Sequence, residues 1–238
     1  MPGKIIIANW KMNGNFSLAH EINNYLVKMV NAPNKIIICT PSIFFNYFDH
    51  QKVNLGAQDI SVIEEEYGAY TGEISGKLLK YSGCEHVLIG HSERRQYFNE
   101  NNEILNKKLQ NALKFNIQPI FCVGETKEEY DKQLTAKVLE DQLKIIKNLP
   151  VTDQLKVIIA YEPVWSIGTG LIPDLKYISK VKDIINKLFE KNLKIVYGGS
   201  VNTGNANEIL NSWPIDGALI GGASLKLPDF KKIISFAE

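Results

Sequence analysis

Three side chains capable of acid–base work stand directly after short aliphatic runs: Lys11, His91 and Glu162. Glu162 leaves Ile158-Ile159-Ala160-Tyr161 and enters a second apolar stretch, where burial raises a carboxyl pKa toward that of a working base. His91 follows Val87-Leu88-Ile89-Gly90, and a neutral imidazole in that setting polarises a carbonyl or relays protons. Lys11, in Asn9-Trp10-Lys11-Met12-Asn13-Gly14, offers an ammonium that attracts an anionic substrate and stabilises developing negative charge. Each has a blander reading. Lys11 alone is a surface lysine, His91 a loop histidine bonded to its neighbours, and Glu162 part of a Pro/Gly turn. Metal ligation by His91 is disfavoured, because the chain has four histidines and no ligand cluster beside this one. Glu93, Arg94 and Arg95 read as a structural ion-pair cluster rather than as reacting groups.

Glu162 opens the segment Pro163-Val164-Trp165-Ser166-Ile167-Gly168-Thr169-Gly170. Pro163 stiffens its start and Gly168 and Gly170 loosen its end, which suits a closing lid with Trp165 and Ile167 as its apolar underside. The alternative is a Pro/Gly turn with core aromatics. Farther on, Tyr197-Gly198-Gly199-Ser200 and Ile220-Gly221-Gly222-Ala223-Ser224 each carry paired glycines after an aliphatic run. One such pair is weak, since glycine is common in turns. Two at the last two run ends point to main-chain N–H groups closing on a phosphate.

The elements that must position these residues recur along the chain. Eight short runs are nearly continuous in apolar, often β-branched residues: 4–9, 35–39, 53–57, 86–90, 119–123, 156–161, 194–197 and 217–220. Such runs fit parallel strands covered on both faces. Between them, Leu18–Val30, Ile104–Phe115, Lys127–Ile146 and Tyr177–Phe189 show helical spacing, with Ser17 and Asp174 as candidate N-caps. Two crossovers must be short. Strand–helix repeats allow an open doubly wound sheet or a closed (β/α)8 barrel. The closed barrel is favoured: it runs to about 250 residues, and no linker or charge block divides residues 1–238, which read as a single domain.

Composition narrows the partners. Apolar residues make up 45%, and 27 basic against 26 acidic side chains leave a formal charge of +1. That balance gives no electrostatic footprint for nucleic acid or an anionic membrane. The opening run Ile5-Ile6-Ile7-Ala8 is too short for a signal sequence or a membrane span. Cys39, Cys84 and Cys122 are widely spaced without a CxxC, which disfavours disulfides and zinc and makes a reducing cytoplasm the default location.

Taken together, Asn9-Trp10-Lys11-Met12-Asn13, Gly90-His91-Ser92-Glu93-Arg94-Arg95, Tyr161-Glu162-Pro163-Val164-Trp165, Ile167-Gly168-Thr169-Gly170 and Tyr197-Gly198-Gly199-Ser200 resemble the triosephosphate isomerase family, in its order and over nearly the whole chain. The resemblance implies interconversion of dihydroxyacetone phosphate and glyceraldehyde 3-phosphate without metal or cofactor. As known for that family, it implies Glu162 as the base and a neutral His91, its pKa lowered by a helix N-terminus, as the electrophile. It further implies Lys11 offsetting charge, Asn9 binding substrate oxygens, and backbone N–H groups of Gly168, Ser200, Gly221 and Gly222 holding phosphate. The lid from Pro163 to Gly170 would exclude water and keep the intermediate from eliminating phosphate. Gly68-Ala69-Tyr70-Thr71-Gly72-Glu73 is similar to the family's interface loop. By that analogy Thr71, flanked by Tyr70 and Gly72, approaches the partner's Asn9 and Lys11 in a homodimer; by itself the segment is a glycine-bounded loop.

The chain departs from the family in two places. Ser166 stands where alanine is usual, and Leu171-Ile172-Pro173 where the far hinge usually reads Lys-Thr-Ala; Pro173 redistributes the hinge torsions. Cys122 resembles a family cysteine, either supporting Glu162 or packing as a core thiol. Two rival readings are a metal-dependent sugar-phosphate epimerase, which would need converging ligands, and a catalytically inert barrel used for binding.

Overall fold

A computed structural model gives the structure of the chain, described over residues 3–29 and 32–237. Eight parallel strands form it: β1 (Ile5–Asn9), β2 (Lys35–Cys39), β3 (Asn54–Ala57), β4 (Cys84–Ile89), β5 (Gln118–Val123), β6 (Ile158–Tyr161), β7 (Lys194–Tyr197) and β8 (Gly217–Ile220). Each pairs with its successor, and β8 returns to β1 with Ile5 beside Gly217, closing the barrel and leaving no sheet edge. That closure excludes the open doubly wound sheet.

The helices outside are α1 (Phe16–Leu26), α2 (Gly76–Tyr81), α3 (Ser92–Tyr97), α4 (Asn102–Lys114) and α5 (Lys127–Asp131). They continue with α6 (Thr135–Lys147), α7 (Val151–Gln154), α8 (Leu175–Lys187), α9 (Ala206–Ser212) and α10 (Leu227–Ser235). The two short crossovers are those after β2, which holds only a 3-10 turn at Ser42–Tyr47, and after β7, which holds α9.

Strand residues divide by parity between two cores. Ile5, Ile7, Ile37, Cys39, Leu88, Ile120, Cys122, Ile158, Ala160, Val196 and Leu219 fill the barrel interior. Their neighbours Ile6, Ala8, Ile36, Ile38, Ile159, Tyr161, Ile195 and Tyr197 join the helices in the larger outer core. Successive side chains point to opposite faces, and here both faces are apolar, which is why the runs do not alternate.

Two local expectations are corrected. The cap of α1 is Asn15, whose side chain accepts the Leu18 N–H at 2.8 Å, while Ser17 lies inside the helix and bonds to Glu21. Val30, the expected end of that helix, lies outside the described residues. The expected helix Lys127–Ile146 is two helices, α5 and α6. Gln133 between them takes a φ of +58°, and Leu134 N–H bonds back to Glu129 O in a left-handed termination. Asp174 caps α8 as expected, accepting the Tyr177 N–H at 2.7 Å.

Candidate active site

The parity of the strands builds the mouth of the barrel. One step beyond the inward residues Ile7, Ala160, Val196 and Leu219 come Asn9, Glu162, Gly198 and Gly221, and all four line a cavity of about 390 Å³. Gly198 is required there, because a Cβ on it would stand 2.7 Å from Glu162 Cγ. The same cavity is lined by Lys11, His91, Ile167, Gly168, Gly170, Ser200 and Gly222. Every residue expected to act on substrate therefore meets in one place, although they come from the ends of β1, β4, β6, β7 and β8.

Glu162 is buried, 2% exposed, and its Oε1 lies 3.3 Å from His91 Nε2. Its Oε2 accepts the Ser92 N–H in a long 3.4 Å bond. Burial pushes its pKa up; the facing His91, the Ser92 N–H and Lys11 pull the other way, and Glu93 adds to the rise. Behind it a second recess of about 470 Å³ is walled by Ser92, Arg95, Cys122, Gly124 and Val164, so Glu162 stands as a partition between two open volumes. Cys122 is completely buried and burial raises its thiol pKa strongly, so it is a packed, protonated thiol beside the carboxylate.

His91 caps α3, its Nδ1 accepting the Glu93 N–H at 3.2 Å. A neutral ring held by that bond carries its proton on Nε2, toward Glu162 and the cavity. Lys11 sits in the left-handed backbone region at φ +54°, a conformation that costs a non-glycine residue about 1–2 kcal/mol. Asn9 Oδ1 steadies it by accepting the Lys11 N–H at 3.0 Å, so Asn9 positions the lysine as well as lining the cavity. Lys11 Nζ bonds to Glu93 Oε1. Glu93 is thus part of the site and not of an arginine cluster. Arg94 instead pairs with Asp59 and Glu100, and Arg95 donates to the Gly90 and Cys122 carbonyls.

The lid is folded over the cavity. A 3-10 turn at Val164–Ser166 leads into Ile167, Gly168 and Gly170, which face the cavity. Trp165 does not belong to the underside. Its indole N–H finds Glu125 at 3.0 Å, and its ring packs on Tyr130 and Tyr177 outside the mouth. Glu125, fully buried two residues beyond β5, also accepts from Tyr161 OH and Tyr177 OH. Burial raises its pKa against the pull of those donors. At the lid tip Gly170 N–H donates to Ser200 Oγ at 3.3 Å, and Ser200 Oγ donates to Ser166 O at 2.6 Å. Sequence reading passed over Glu125, took Glu93 for a structural ion-pair residue, and met Tyr197 only as the start of a glycine motif. Only the position of Glu125 at a strand end could have flagged it.

Among the described residues no group of three or more His, Cys, Asp or Glu side chains is arranged to hold a metal ion, and no helix is long and apolar enough to cross a membrane. The loop carrying Tyr70, Thr71 and Gly72 stands exposed, away from this chain's own cavity.

Fold and mouth together define a (β/α)8-barrel enzyme. Residues 4–237 match the family model described as triosephosphate isomerase. The chain is 44% identical to a triosephosphate isomerase of Chloroherpeton thalassium, with all of both chains covered. It is 43% identical to one of Mesomycoplasma hyorhinis, with 99% of each covered. A third, of Alkaliphilus oremlandii, is 42% identical over 99% of this chain and 100% of its own. The chain belongs to the triosephosphate isomerase family and is an isomerase.

Proposed function

We propose that the chain interconverts dihydroxyacetone phosphate and D-glyceraldehyde 3-phosphate through an enediolate, needing neither metal nor organic cofactor. The observation that carries this reading is the 3.3 Å approach of buried Glu162 to His91 Nε2 at the floor of a glycine-walled cavity. Glu162 takes a proton from the carbon beside the carbonyl and returns it to the neighbouring carbon. Nε2–H of His91 donates to the carbonyl oxygen as charge develops there, and Lys11 offsets the charge of phosphate and enediolate. Asn9 holds substrate oxygens. Gly168, Ser200, Gly221 and Gly222 supply N–H groups to the phosphate; the long 3.4 Å bond from Ser200 N–H to Ser166 Oγ is one a phosphate oxygen can replace.

The family's reaction belongs to glycolysis and gluconeogenesis, and a cytoplasmic location follows from that role. A homodimer is favoured by Met12, Phe16, Ile43, Tyr47, Tyr97 and Phe98, all exposed on segments that follow β1, β2 and β4. Thr71 and its neighbours in the loop after β3 share that side of the barrel and would enter the partner's mouth.

A coupled assay with glyceraldehyde 3-phosphate tests the reading. The wild-type chain should turn it over in the presence of chelator, and E162Q should fold but lose several orders of magnitude in kcat. Full activity in E162Q would remove Glu162 as the base, and loss of wild-type activity to chelator would favour a metal-dependent enzyme.

A further inference from the structure

The lid departs from its family's usual residues at Ser166 and at Leu171-Ile172-Pro173, and these two departures are bonded to each other. Ser166 Oγ donates to Leu171 O at 2.6 Å. That bond uses the hydroxyl's one proton, which leaves two lone pairs to accept. Tyr197 OH, 2.9 Å away, is then a donor to Ser166 Oγ, and Ser200 N–H fills the remaining position at 3.4 Å. Ser166 is completely buried and Tyr197 is 1% exposed, so neither hydroxyl has water to fall back on. Among the described residues Tyr197 OH bonds to Ser166 alone. The far hinge offers it little else: Pro173 has no N–H, and Leu171 N–H goes to Thr169 Oγ1 at 3.2 Å. Room for the contact comes from Gly199, where a Cβ would stand 2.1 Å from Tyr197 Oη and 2.6 Å from Ser166 Oγ.

We propose that the Ser166 hydroxyl is a latch that fastens the closed lid to the end of β7, and that it forms a matched pair with the Leu171-Ile172-Pro173 hinge. Ser166 touches no reacting atom in this scheme, so it is a positioning residue. It ties together the near hinge, the far hinge and the β7 turn, and so holds Gly168 and Gly170 against the cavity. Without the hydroxyl, the Leu171 carbonyl and the Tyr197 phenol lose their bonds to it in the closed lid, whereas an open lid lets water serve both. The latch rests on the triose phosphate reading for its substrate, but not for its geometry.

The test compares wild type, S166A, and S166A combined with L171K, I172T and P173A. Ala at 173 restores a hinge N–H that a lid lacking the serine hydroxyl can use. The probe is phosphoglycolate, titrated calorimetrically, with kcat/KM and inorganic phosphate release measured beside it. Phosphate release reports an opened lid: the enediolate's electrons expel the phosphate, its C–O bond breaks, and the enol left behind becomes methylglyoxal. S166A should bind phosphoglycolate about tenfold or more weakly, lose kcat/KM in step, and release more phosphate per turnover. The hinge replacement should recover most of the loss. Should S166A not fold, Y197F removes the opposite hydroxyl and should weaken phosphoglycolate binding likewise. Equal affinity and equal phosphate release in wild type and S166A would overturn the latch, and a loss untouched by hinge replacement would overturn the pairing. A wild type that binds phosphoglycolate but does not isomerise would sink the proposed reaction while leaving the latch to be decided by the binding comparison.

Discussion

A carboxylate as buried as Glu162 resists ionisation, and that single fact has a kinetic and a thermodynamic consequence. Burial holds its pKa above the ordinary 4.5, with His91, Ser92 N–H and Lys11 only partly opposing the rise. As a base it must be ionised, so kcat/KM should fall as pH drops through that raised value rather than through 4.5. For stability the sign is opposite. The folded state binds the proton more tightly than the unfolded chain, so stability declines as pH rises from the unfolded pKa to the folded one. Above that window the ionised group is a standing cost. E162Q should therefore melt no lower than wild type at neutral pH, and a markedly lower melting temperature would contradict the raised pKa. Glu162 was legible in the sequence because a carboxylate closing an aliphatic run is conspicuous. Glu125 was not, since Tyr161, Trp165 and Tyr177 come to it from separate segments, and no spacing in the chain announces that convergence.

The lid is an element with two differently built ends. Its near end is gripped from outside by Glu125 through Trp165, and its far end is held through Leu171 O. E125A would leave the Tyr161 phenol and the Trp165 indole N–H without that partner, and should cost about 2 kcal/mol or more in unfolding free energy. Denaturant melts measure that loss, and phosphoglycolate affinity should fall with it; unchanged values in both would mean the grip is idle. Other elements show how far local reading reaches. The strand runs lie within about two residues of their observed ends because apolar content marks them on both faces. The break between α5 and α6 was invisible, because Gln133 takes the left-handed conformation without a glycine or proline to signal it, and the apolar spacing continues through it.

For the whole molecule, strand count and length favoured a closed barrel, but closure itself depends on the pairing of β8 with β1, which no local pattern carries. The outer face after the first four strands adds a further level. Exposed Met12, Ile43, Tyr97 and Phe98 are costly to leave in water at this density, and association is the usual relief. Sedimentation at micromolar concentration should find a two-chain particle. T71R, which puts a bulky cation where the partner's mouth would receive a small hydroxyl, should yield single chains with reduced activity. A wild type that sediments as one chain, active and unaffected by T71R, would remove the homodimer.

The parity of the strands has one more consequence, and it concerns heredity rather than chemistry. In β6, Ile158 and Ala160 face inward while Ile159 and Tyr161 face outward, so both sides are equally greasy. A one-residue slip would keep both sides apolar, but it would drive Tyr161 into the barrel in place of Ala160, pull its phenol off buried Glu125, and turn the next residue from the inside to the outside. Apolar content alone would accept a small insertion in a stave, but side-chain size does not, since small Ala160 and large Tyr161 are each fitted to their own side. A copying error of one codon just before Glu162 would displace the contacts of Glu162, Val164 and Trp165 with the end of β5, and would extinguish the site with them.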